Sequence, residues 1–288
     1  MPSRKGDEPQ EHLSAPAKGR RGPPHLRVYQ AMLVGLLFVL WHILTSPTLL
    51  PPIYFAEANQ AAFFFGEPVK VLERLWQWFV SGDIYAHLWV TLVETLLAFL
   101  IGTVFGVAIG LWLALAPLAS AILDPYIKAV NAMPRVILAP IFFVWFGLGI
   151  ASKVALGVTL VFFIVFFNVY QGVREVSPVV LANARMLGAT PGQLLRHVYV
   201  PSAMSWVFAS LHNSVGLAFV GAVVGEYLGS AQGVGYLIHQ AEGFFDMNTV
   251  VAGILLLTAF ALILDWAVGL LEKRLMVWQP RSSETERA

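Results

Sequence analysis

Six apolar segments, each long enough to cross a lipid bilayer, constrain the fold of this 288-residue chain more than any other feature. A transmembrane helix needs about 20 mostly apolar residues, because the hydrocarbon core of a bilayer is ~30 Å thick. The segments cover residues 27–45, 88–115, 122–148, 154–170, 206–224 and 250–271. Charged residues make up only 12% of the chain, against about 25% in soluble domains. The sequence therefore predicts an all-α membrane protein with six transmembrane helices.

The third apolar segment contains prolines, which the interior of a helix rarely tolerates. Pro125 and Pro134 interrupt its apolar pattern, and Pro140 follows further along. A proline removes a backbone hydrogen bond and clashes with the preceding turn. In lipid, the freed backbone groups must be satisfied by neighbouring helices or by water. We therefore expect helix breaks at Pro125 and Pro134, and we expect this segment to lie inside the bundle.

Basic residues fall unevenly on the two sides of the predicted bundle. Thirteen Lys and Arg residues lie in the chain ends and in the loop 171–205, and three lie on the other side: Lys70, Arg74 and Lys153. Because cytoplasmic loops carry the excess of Lys and Arg, both termini and this loop are predicted to be cytoplasmic. The resulting division is a disordered cytoplasmic tail (1–26), a membrane domain (27–278) and a cytoplasmic tail (279–288).

Three glycines recur every four residues along the second apolar segment, at Gly102, Gly106 and Gly110. Residues spaced by four lie on one face of a helix. A stripe of small residues lets two helix backbones approach closely in a membrane. We interpret this stripe as a helix-packing face and not as a ligand site.

A few polar side chains interrupt the apolar segments, and such residues are candidates to line a water-filled path. His212 and Asn213 lie in the fifth segment, and Glu226 follows its outer end. Each of them could instead form hydrogen bonds between helices, and for Asn213 the two interpretations have equal weight. Glu94 lies near the outer end of the second segment, where a hydrated position at the interface is equally compatible with the pattern.

The stretch 180–202, VLANARMLGATPGQLLRHVYVPS, is polar and basic and separates two apolar segments. The predicted elements are a helix at 181–187, a turn at Gly188 and a second helix at 191–199. Thr190 is a favourable N-cap for the second helix, and Gly188 suits a position with positive φ. Pro201 is expected to end the second helix. The stretch is therefore predicted to form a helix-turn-helix outside the hydrocarbon.

The same stretch resembles the EAA loop of ABC-transporter permeases. The matching residues are Ala182, Asn183, Ala184, Gly188, Val198 and Pro201. Ala182 and Asn183 replace the leading Glu and the first Ala of the family pattern, which weakens any expectation of a salt bridge from the first position. Two further segments, 132–149 and 225–246, resemble the permeases of the nitrate, sulfonate and taurine type within this family.

This resemblance implies a type I ABC importer permease in the bacterial inner membrane. Such permeases act as two copies, bound to two ATPase subunits and served by an external solute-binding protein. The loop 171–205 would dock on the ATPase, which would hold ATP and Mg²⁺, so no cofactor is expected on this chain. The implied docking residues are Ala182, Asn183, Ala184, Arg185, Leu187, Gly188, Ala189, Leu194, Arg196 and Pro201. Of these, Leu187 and Leu194 are expected to supply the apolar contacts.

The solute implied by the resemblance is a small organic anion such as a sulfonate or taurine, or nitrate. A pyrimidine-type vitamin precursor is the alternative, because closely similar permeases carry both. Besides the protein partners, the chain is expected to contact membrane lipid and no nucleic acid.

The sequence lacks the motifs that an enzyme of its own would require. It contains no Gly-x-x-x-x-Gly-Lys loop, and cysteine is absent. The seven His residues have no metal-ligand spacing, and no ordered nucleophilic triad is present. We therefore expect a transport subunit that carries neither a catalytic site nor a metal site.

An ion-coupled secondary transporter is the alternative from a different class. Such a protein needs intramembrane groups that bind the coupling ion. Glu94, Asp265 and the broken third segment are the candidates for that role, and no internal repeat supports them. A membrane-embedded enzyme or a scaffold is a third possibility, but the sequence has no convergent catalytic set.

Overall fold

The computed structural model describes residues 26–46 and 60–275, and within these ranges every regular element is helical. The α-helices are α1 (Leu26–Thr45), α2 (Gln60–Phe65), α3 (Pro68–Ser81), α4 (Asp83–Leu115), α5 (Pro117–Ala132), α6 (Ala139–Phe146), α7 (Ile150–Arg174), α8 (Pro178–Met186), α9 (Pro191–Leu194), α10 (Val200–Gly229), α11 (Val234–Gly243) and α12 (Met247–Leu275). A 3₁₀ turn (Arg135–Leu138) precedes α6, and a π-helical turn (Leu195–Tyr199) precedes α10. The predicted all-α class is confirmed. The predicted tails, 1–26 and 279–288, lie outside the described residues except for Leu26.

The described chain has five helical stretches that are long and apolar enough to cross a bilayer. They are Val28–Thr45, Asp83–Leu115, Ile150–Arg174, His212–Gly243 and Met247–Leu270. The bent pair Pro117–Ala132 and Arg135–Phe146 provides a sixth crossing if the two helices count as one broken span. The prediction of six spans agrees with the structure when the pair is counted in this way.

The third span breaks at only one of the two predicted prolines. α5 continues through Pro125, so the break expected there is wrong. An ion pair between Lys128 and Asp124 (2.6 Å) bridges one turn of the helix across that proline. The chain bends by 87° between α5 and the 3₁₀ turn, where Met133 has the extended backbone that a following proline imposes.

α4, α7 and α10 pack together and form the centre of the bundle. Their shared apolar core contains Ala98, Val161, Val165, Val169, Val207 and Ala218. Along α4, the predicted glycine stripe faces three valines of α7. A Cβ atom on Gly106 would lie 2.8 Å from Cβ of Val165, and one on Gly102 would lie 2.7 Å from Cβ of Val161. The two helix axes can approach this closely only because the stripe has no side chains.

A second glycine stripe lies on α10, with the same spacing of four residues: Gly221, Gly225 and Gly229. A Cβ atom on Gly221 would lie 2.5 Å from Cα of Gly157 on α7, so these two backbones are in direct contact. This stripe is not among the features predicted above, although its spacing is visible in the sequence. The two stripes together place α7 between α4 and α10.

A smaller apolar cluster joins α3, the start of α4, α11 and α12 on the predicted outer side. It contains Ile84, Val234, Ile238, Leu256 and Leu257. This cluster holds α11 against the outer ends of the central helices. The predicted cytoplasmic loop, with α8 and α9, lies at the opposite ends of α7 and α10.

Candidate functional site

The loop 171–205, which is predicted to dock on the ATPase, contains two short helices, α8 and α9, between α7 and α10. We call residues 178–194, which comprise these helices and the turn between them, the elbow. α8 ends at Met186, and the turn that follows contains Gly188, whose φ of +82° is a left-handed conformation that glycine adopts without steric cost. The Gly188 N–H donates to the Arg185 carbonyl (3.0 Å), and the Ala189 N–H donates to the Ala184 carbonyl (3.0 Å). These two bonds form a Schellman motif, which satisfies two of the four C-terminal carbonyls of α8. The turn between the two helices is therefore fixed by backbone geometry.

A capping box fixes the start of the second helix of the elbow. Thr190 Oγ1 accepts the N–H of Gln193 (3.3 Å), and Gln193 Oε1 accepts the N–H of Thr190 (2.8 Å). Two backbone donors that the helix itself cannot satisfy are paired in this way. The N-cap predicted at Thr190 agrees with the structure.

The helix end predicted at Pro201 is wrong, because the helix continues through this residue into α10. Helical backbone runs from Pro191 through the π-helical turn and on to Gly229. In the π-helical turn the Val200 N–H bonds to the Leu195 carbonyl, five residues back. A π turn is wider than an α turn, and here it stands directly before a residue that lacks an N–H. The elbow is consequently continuous with a membrane-spanning helix.

The tip of the elbow exposes apolar side chains. Leu187 is 88% exposed and Met186 is 77% exposed. Leu194 is only 7% exposed, so the expectation that it contacts the ATPase is corrected. The Leu194 side chain packs within this chain. The second exposed apolar side chain of the elbow is Met186, next to Leu187 in the sequence. An apolar patch on a polar loop is typical of a protein-binding surface.

The remaining residues of the predicted docking set divide into two groups. Six of them are exposed: Ala182, Asn183, Arg185, Gly188, Arg196 and Pro201. Ala184 and Ala189 are half-buried, and their backbone groups form one of the two bonds of the Schellman motif.

Two glycines of the elbow allow the backbone requirement at the turn to be tested by itself. No heavy atom lies within 4 Å of a Cβ placed on Gly188 or on Gly192, and only Gly188 has a positive φ. We expect Gly188→Val to destabilise the elbow by about 1–2 kcal/mol, the usual cost of left-handed backbone for other residues. Gly192→Val is the matched control and should cause no such loss. Amide hydrogen exchange of the loop 171–205 in nanodiscs measures both, and equal protection in the two variants would contradict the role of the turn.

The elbow is anchored to the bundle by residues that directly follow the π-helical turn in the sequence. Ser202 Oγ donates to the Gly172 carbonyl of α7 (2.7 Å). A Cβ on Gly172 would overlap the Trp206 side chain, so α7 and α10 are tightly packed here. The central apolar core continues into this region through Val173 and Ala203. The elbow is therefore held against the adjacent ends of α7 and α10.

Of the three residues predicted to line a path, two lie on one exposed face of α10. His212 Nδ1 is 2.9 Å from Asp265 Oδ1 of α12, and the two side chains are 39% and 66% exposed. Asn213 is also exposed. Glu226 is not part of this face, because it is fully buried inside the chain. The expectation that Glu226 lines the path is therefore corrected.

Glu226 belongs to a buried cluster of charged side chains that our sequence analysis did not identify. Glu94 of α4 and Lys153 of α7 are 1% and 0% exposed, so the hydrated position considered for Glu94 is wrong. Lys153 Nζ donates to the carbonyls of Leu148 and Gly149 (3.1 Å to the latter). The sequence does contain a signal for this cluster, because each of three different spans carries one lone charge near one end.

Comparisons with known proteins identify relatives for most of the chain. Residues 102–277 match the family model described as "Binding-protein-dependent transport system inner membrane component". The putative aliphatic sulfonates transport permease protein SsuC of Bacillus subtilis is 32% identical over 74% of this chain and 77% of that protein. The taurine transport system permease protein TauC of Escherichia coli is 29% identical over 85% of this chain and 87% of that protein. The formylaminopyrimidine transport permease protein ThiX of Halalkalibacterium halodurans is 30% identical over 88% of this chain and 99% of that protein.

A solved structure shows the same fold. The inward-facing MetNI methionine ABC transporter contains a chain that matches with a TM-score of 0.58 at 18% identity. The match covers 66% of the present chain and 95% of that chain. The bundle is therefore of the type I importer kind predicted from the sequence.

Proposed function

Because the chain belongs to the family of binding-protein-dependent transport system inner membrane components, and so is a transmembrane permease subunit of an ABC importer, we propose that two copies together form a solute path across the bacterial inner membrane. Each copy docks on a separate ATPase subunit through the loop 171–205. A solute-binding protein delivers the solute from the outside. ATP and Mg²⁺ bind to the ATPase subunits, so this chain acts as a transport subunit without catalytic residues.

The exposed tip of the elbow is the observation that carries the docking proposal. Leu187 and Met186 present apolar surface at the end of a turn that is rigid, capped and basic on its flanks. An apolar residue of this exposure suits a pocket on a partner protein, where a few buried side chains supply most of the binding energy. Arg185 and Arg196 are also exposed and would lie at the rim of that contact, where charges contribute little to affinity.

The same elbow supplies a direct mechanical connection to the solute path. ATP binding draws the two ATPase subunits together, and the elbows move with them as rigid bodies. Since α9, the π-helical turn and α10 are one continuous helix, this motion enters α10 without an intervening flexible loop. The hydrogen bond from Ser202 to Gly172 carries the motion to α7 as well. The bundle then changes between inward-open and outward-open states, as in other two-state transporters.

The exposed face with His212, Asn213 and Asp265 is proposed to line the path. An ionisable pair in contact with lipid is costly, and such pairs usually face a water-filled cavity or the interior of a bundle. This face is open in the single chain, so in the two-copy assembly it would face the path between the copies. The apolar surface elsewhere on α12, such as Ile263 (59% exposed), suits contact with lipid.

The solute is proposed to be a small organic anion of the sulfonate type, because two of the relatives carry such names. The alternative, a pyrimidine-type vitamin precursor, is favoured by two observations. A relative named for formylaminopyrimidine transport is matched over 99% of its length. In addition, the exposed Asp265 carboxylate would repel an anion in the path, whereas it could accept hydrogen bonds from an amino-pyrimidine.

One experiment tests the function and distinguishes the two solute classes. The chain is purified with its ATPase partner in nanodiscs, and ATP hydrolysis is measured with binding protein loaded with taurine, an alkanesulfonate or an amino-pyrimidine. We expect hydrolysis to rise with only one loaded form, which names the solute. Asp265→Asn should raise transport if the solute is an anion, because a repelling charge is removed, and lower transport if the solute is an amino-pyrimidine, because the charged hydrogen-bond acceptor is lost. A rate of ATP hydrolysis that does not change with any of the loaded binding proteins would refute the proposal.

A further inference from the structure

The buried cluster of Glu94, Lys153 and Glu226 lies apart from both the elbow and the exposed polar face. The three side chains are at most 1% exposed and come from three different membrane-spanning helices. Among the described residues, Glu94 and Glu226 are the only buried carboxyl groups. The proposed function uses neither of them. A buried intramembrane charge is costly to maintain, so a specific role is expected.

The two carboxyl groups differ in their hydrogen bonds. Glu226 accepts from the Thr91 hydroxyl (2.6 Å) and from the Gly235 N–H at the start of α11 (2.7 Å). Glu94 Oε2 is buried and has no protein donor. Glu226 is thus surrounded by donors that stabilise a negative charge, whereas Glu94 is not.

Glu94 lies three residues after Thr91 on the same face of α4, and the Thr91 hydroxyl donates to Glu226, so the two buried carboxyl groups lie close together. Two ionised carboxylates cannot hydrogen-bond to each other, because both are acceptors only. A proton on Glu94 makes it a donor to Glu226 and removes the repulsion between two buried negative charges. Like charges this close together normally leave one carboxyl group protonated.

The charge balance of the site leads to the same conclusion. Lys153 contributes one positive charge, and it is buried together with the two carboxyl groups. With both carboxylates ionised, the buried site would have a net charge of −1. With one proton bound, it is neutral, as the low dielectric of a bundle interior requires.

The other groups around the site do not change this balance. His87 of α4 accepts the Gly233 N–H at its Nδ1 (3.1 Å), so that nitrogen carries no proton in this structure. On α11, the Tyr236 ring stacks on His87, and the other contacts with the site are backbone N–H groups. Beside α6, Lys153 lies 5.7 Å from the Phe143 ring, which adds no charge.

We propose that Glu94 and Glu226 bind one proton between them, carried by Glu94 and donated to Glu226. The site joins α4, α7 and α10 to the first turn of α11 through Thr91, Lys153 and the Gly235 N–H. Release of the proton leaves an unbalanced negative charge in this packed region and weakens the attachment of α11. The stability with which α11 is attached to the bundle would thereby depend on pH, although ATP drives transport.

Infrared spectroscopy of the wild-type chain, assembled with its ATPase in nanodiscs, tests the proton directly. Exposed carboxyl groups are ionised above about pH 6. We expect one protonated carboxyl band per chain to remain above that pH and to shift in D₂O. The band should be absent in Glu94→Gln and retained in the control Glu73→Gln, which removes an exposed carboxylate of α3. The absence of the band in the wild type, or an unchanged band in Glu94→Gln, would overturn the proposal.

Thermal unfolding over the same pH range provides a second readout. The folded chain holds one proton more than the unfolded chain near neutral pH, so its stability should fall as the pH rises. Glu94→Gln imitates the protonated carboxyl group and should abolish this part of the pH dependence. If Glu94→Gln and Glu73→Gln both kept the wild-type pH profile, the proton would not reside at Glu94.

A charge-balancing pair of variants tests the site by rescue. Lys153→Met leaves a carboxylate without its buried counter-charge and should reduce the folded yield by about tenfold or more. Adding Glu226→Gln to Lys153→Met restores neutrality and should recover part of that yield. A double variant with a lower yield than Lys153→Met would contradict the proposed charge balance. This outcome is independent of ATP coupling, so it is distinguishable from a failure of the proposed function.

Discussion

Replacing Gly106 with leucine should remove most of the folded chain from the membrane. A Cβ at this position would lie 2.8 Å from Cβ of Val165 and 3.0 Å from the Phe162 carbonyl, and leucine adds three more carbon atoms. Val165 is 1% exposed and has no space into which it can move. Overpacking typically costs about 1–3 kcal/mol, and this site lies at the upper end because the added atoms meet both a buried side chain and a backbone carbonyl. The measurement is the yield of monodisperse protein after detergent extraction.

Gly35→Leu is the matched control for this prediction. Gly35 lies in α1, and no heavy atom is within 4 Å of a Cβ placed on it. The control should therefore give the wild-type yield. If Gly106→Leu also did so, the contact between α4 and α7 would be looser than the structure shows.

Leu187→Asp should leave the membrane bundle folded but abolish its association with the ATPase. The side chain is 88% exposed, so a change there does not disturb the packing within this chain. A carboxylate placed in an apolar pocket of a partner would lose a central contact, which typically costs about 2 kcal/mol or more, roughly 30-fold in affinity. The measurement is co-purification with the ATPase, together with ATP-dependent uptake.

Arg196→Gln provides the contrast for Leu187→Asp. It removes an exposed charge from the same loop, 171–205, and rim charges contribute about 1 kcal/mol or less. Association should therefore remain nearly normal. Equal losses in both variants would mean that charge, and not the apolar tip, determines docking.

Features that depend on local sequence were predictable in this chain. The spans follow from apolar length, and the stripe on α4 follows from the spacing of Gly102, Gly106 and Gly110. The turn at Gly188 and the cap at Thr190 follow from backbone preferences that act over a few residues. The stripe on α10 obeys the same rule and could have been found in the same way.

Features that depend on packing between distant segments were not predictable from spacing. Pro201 obeys a local rule that predicts a helix end, but the π-helical turn before it lets the helix continue. The burial of Leu194 depends on the angle of the elbow, which the sequence pattern does not determine. The cluster of Glu94, Lys153 and Glu226 exists only because three separate helices meet at one depth. Each of these charges alone is compatible with a hydrated position at the interface.

Solute uptake into proteoliposomes that contain the chain and its ATPase tests the proposed function most directly. Loaded binding protein is placed outside the proteoliposomes and ATP inside. We expect uptake that requires ATP and the binding protein, and that disappears in Leu187→Asp while the bundle remains folded. Uptake driven by a proton or sodium gradient, without ATP and without the ATPase, would contradict it. In that case the chain would work as an ion-coupled carrier, and the elbow would have no coupling role.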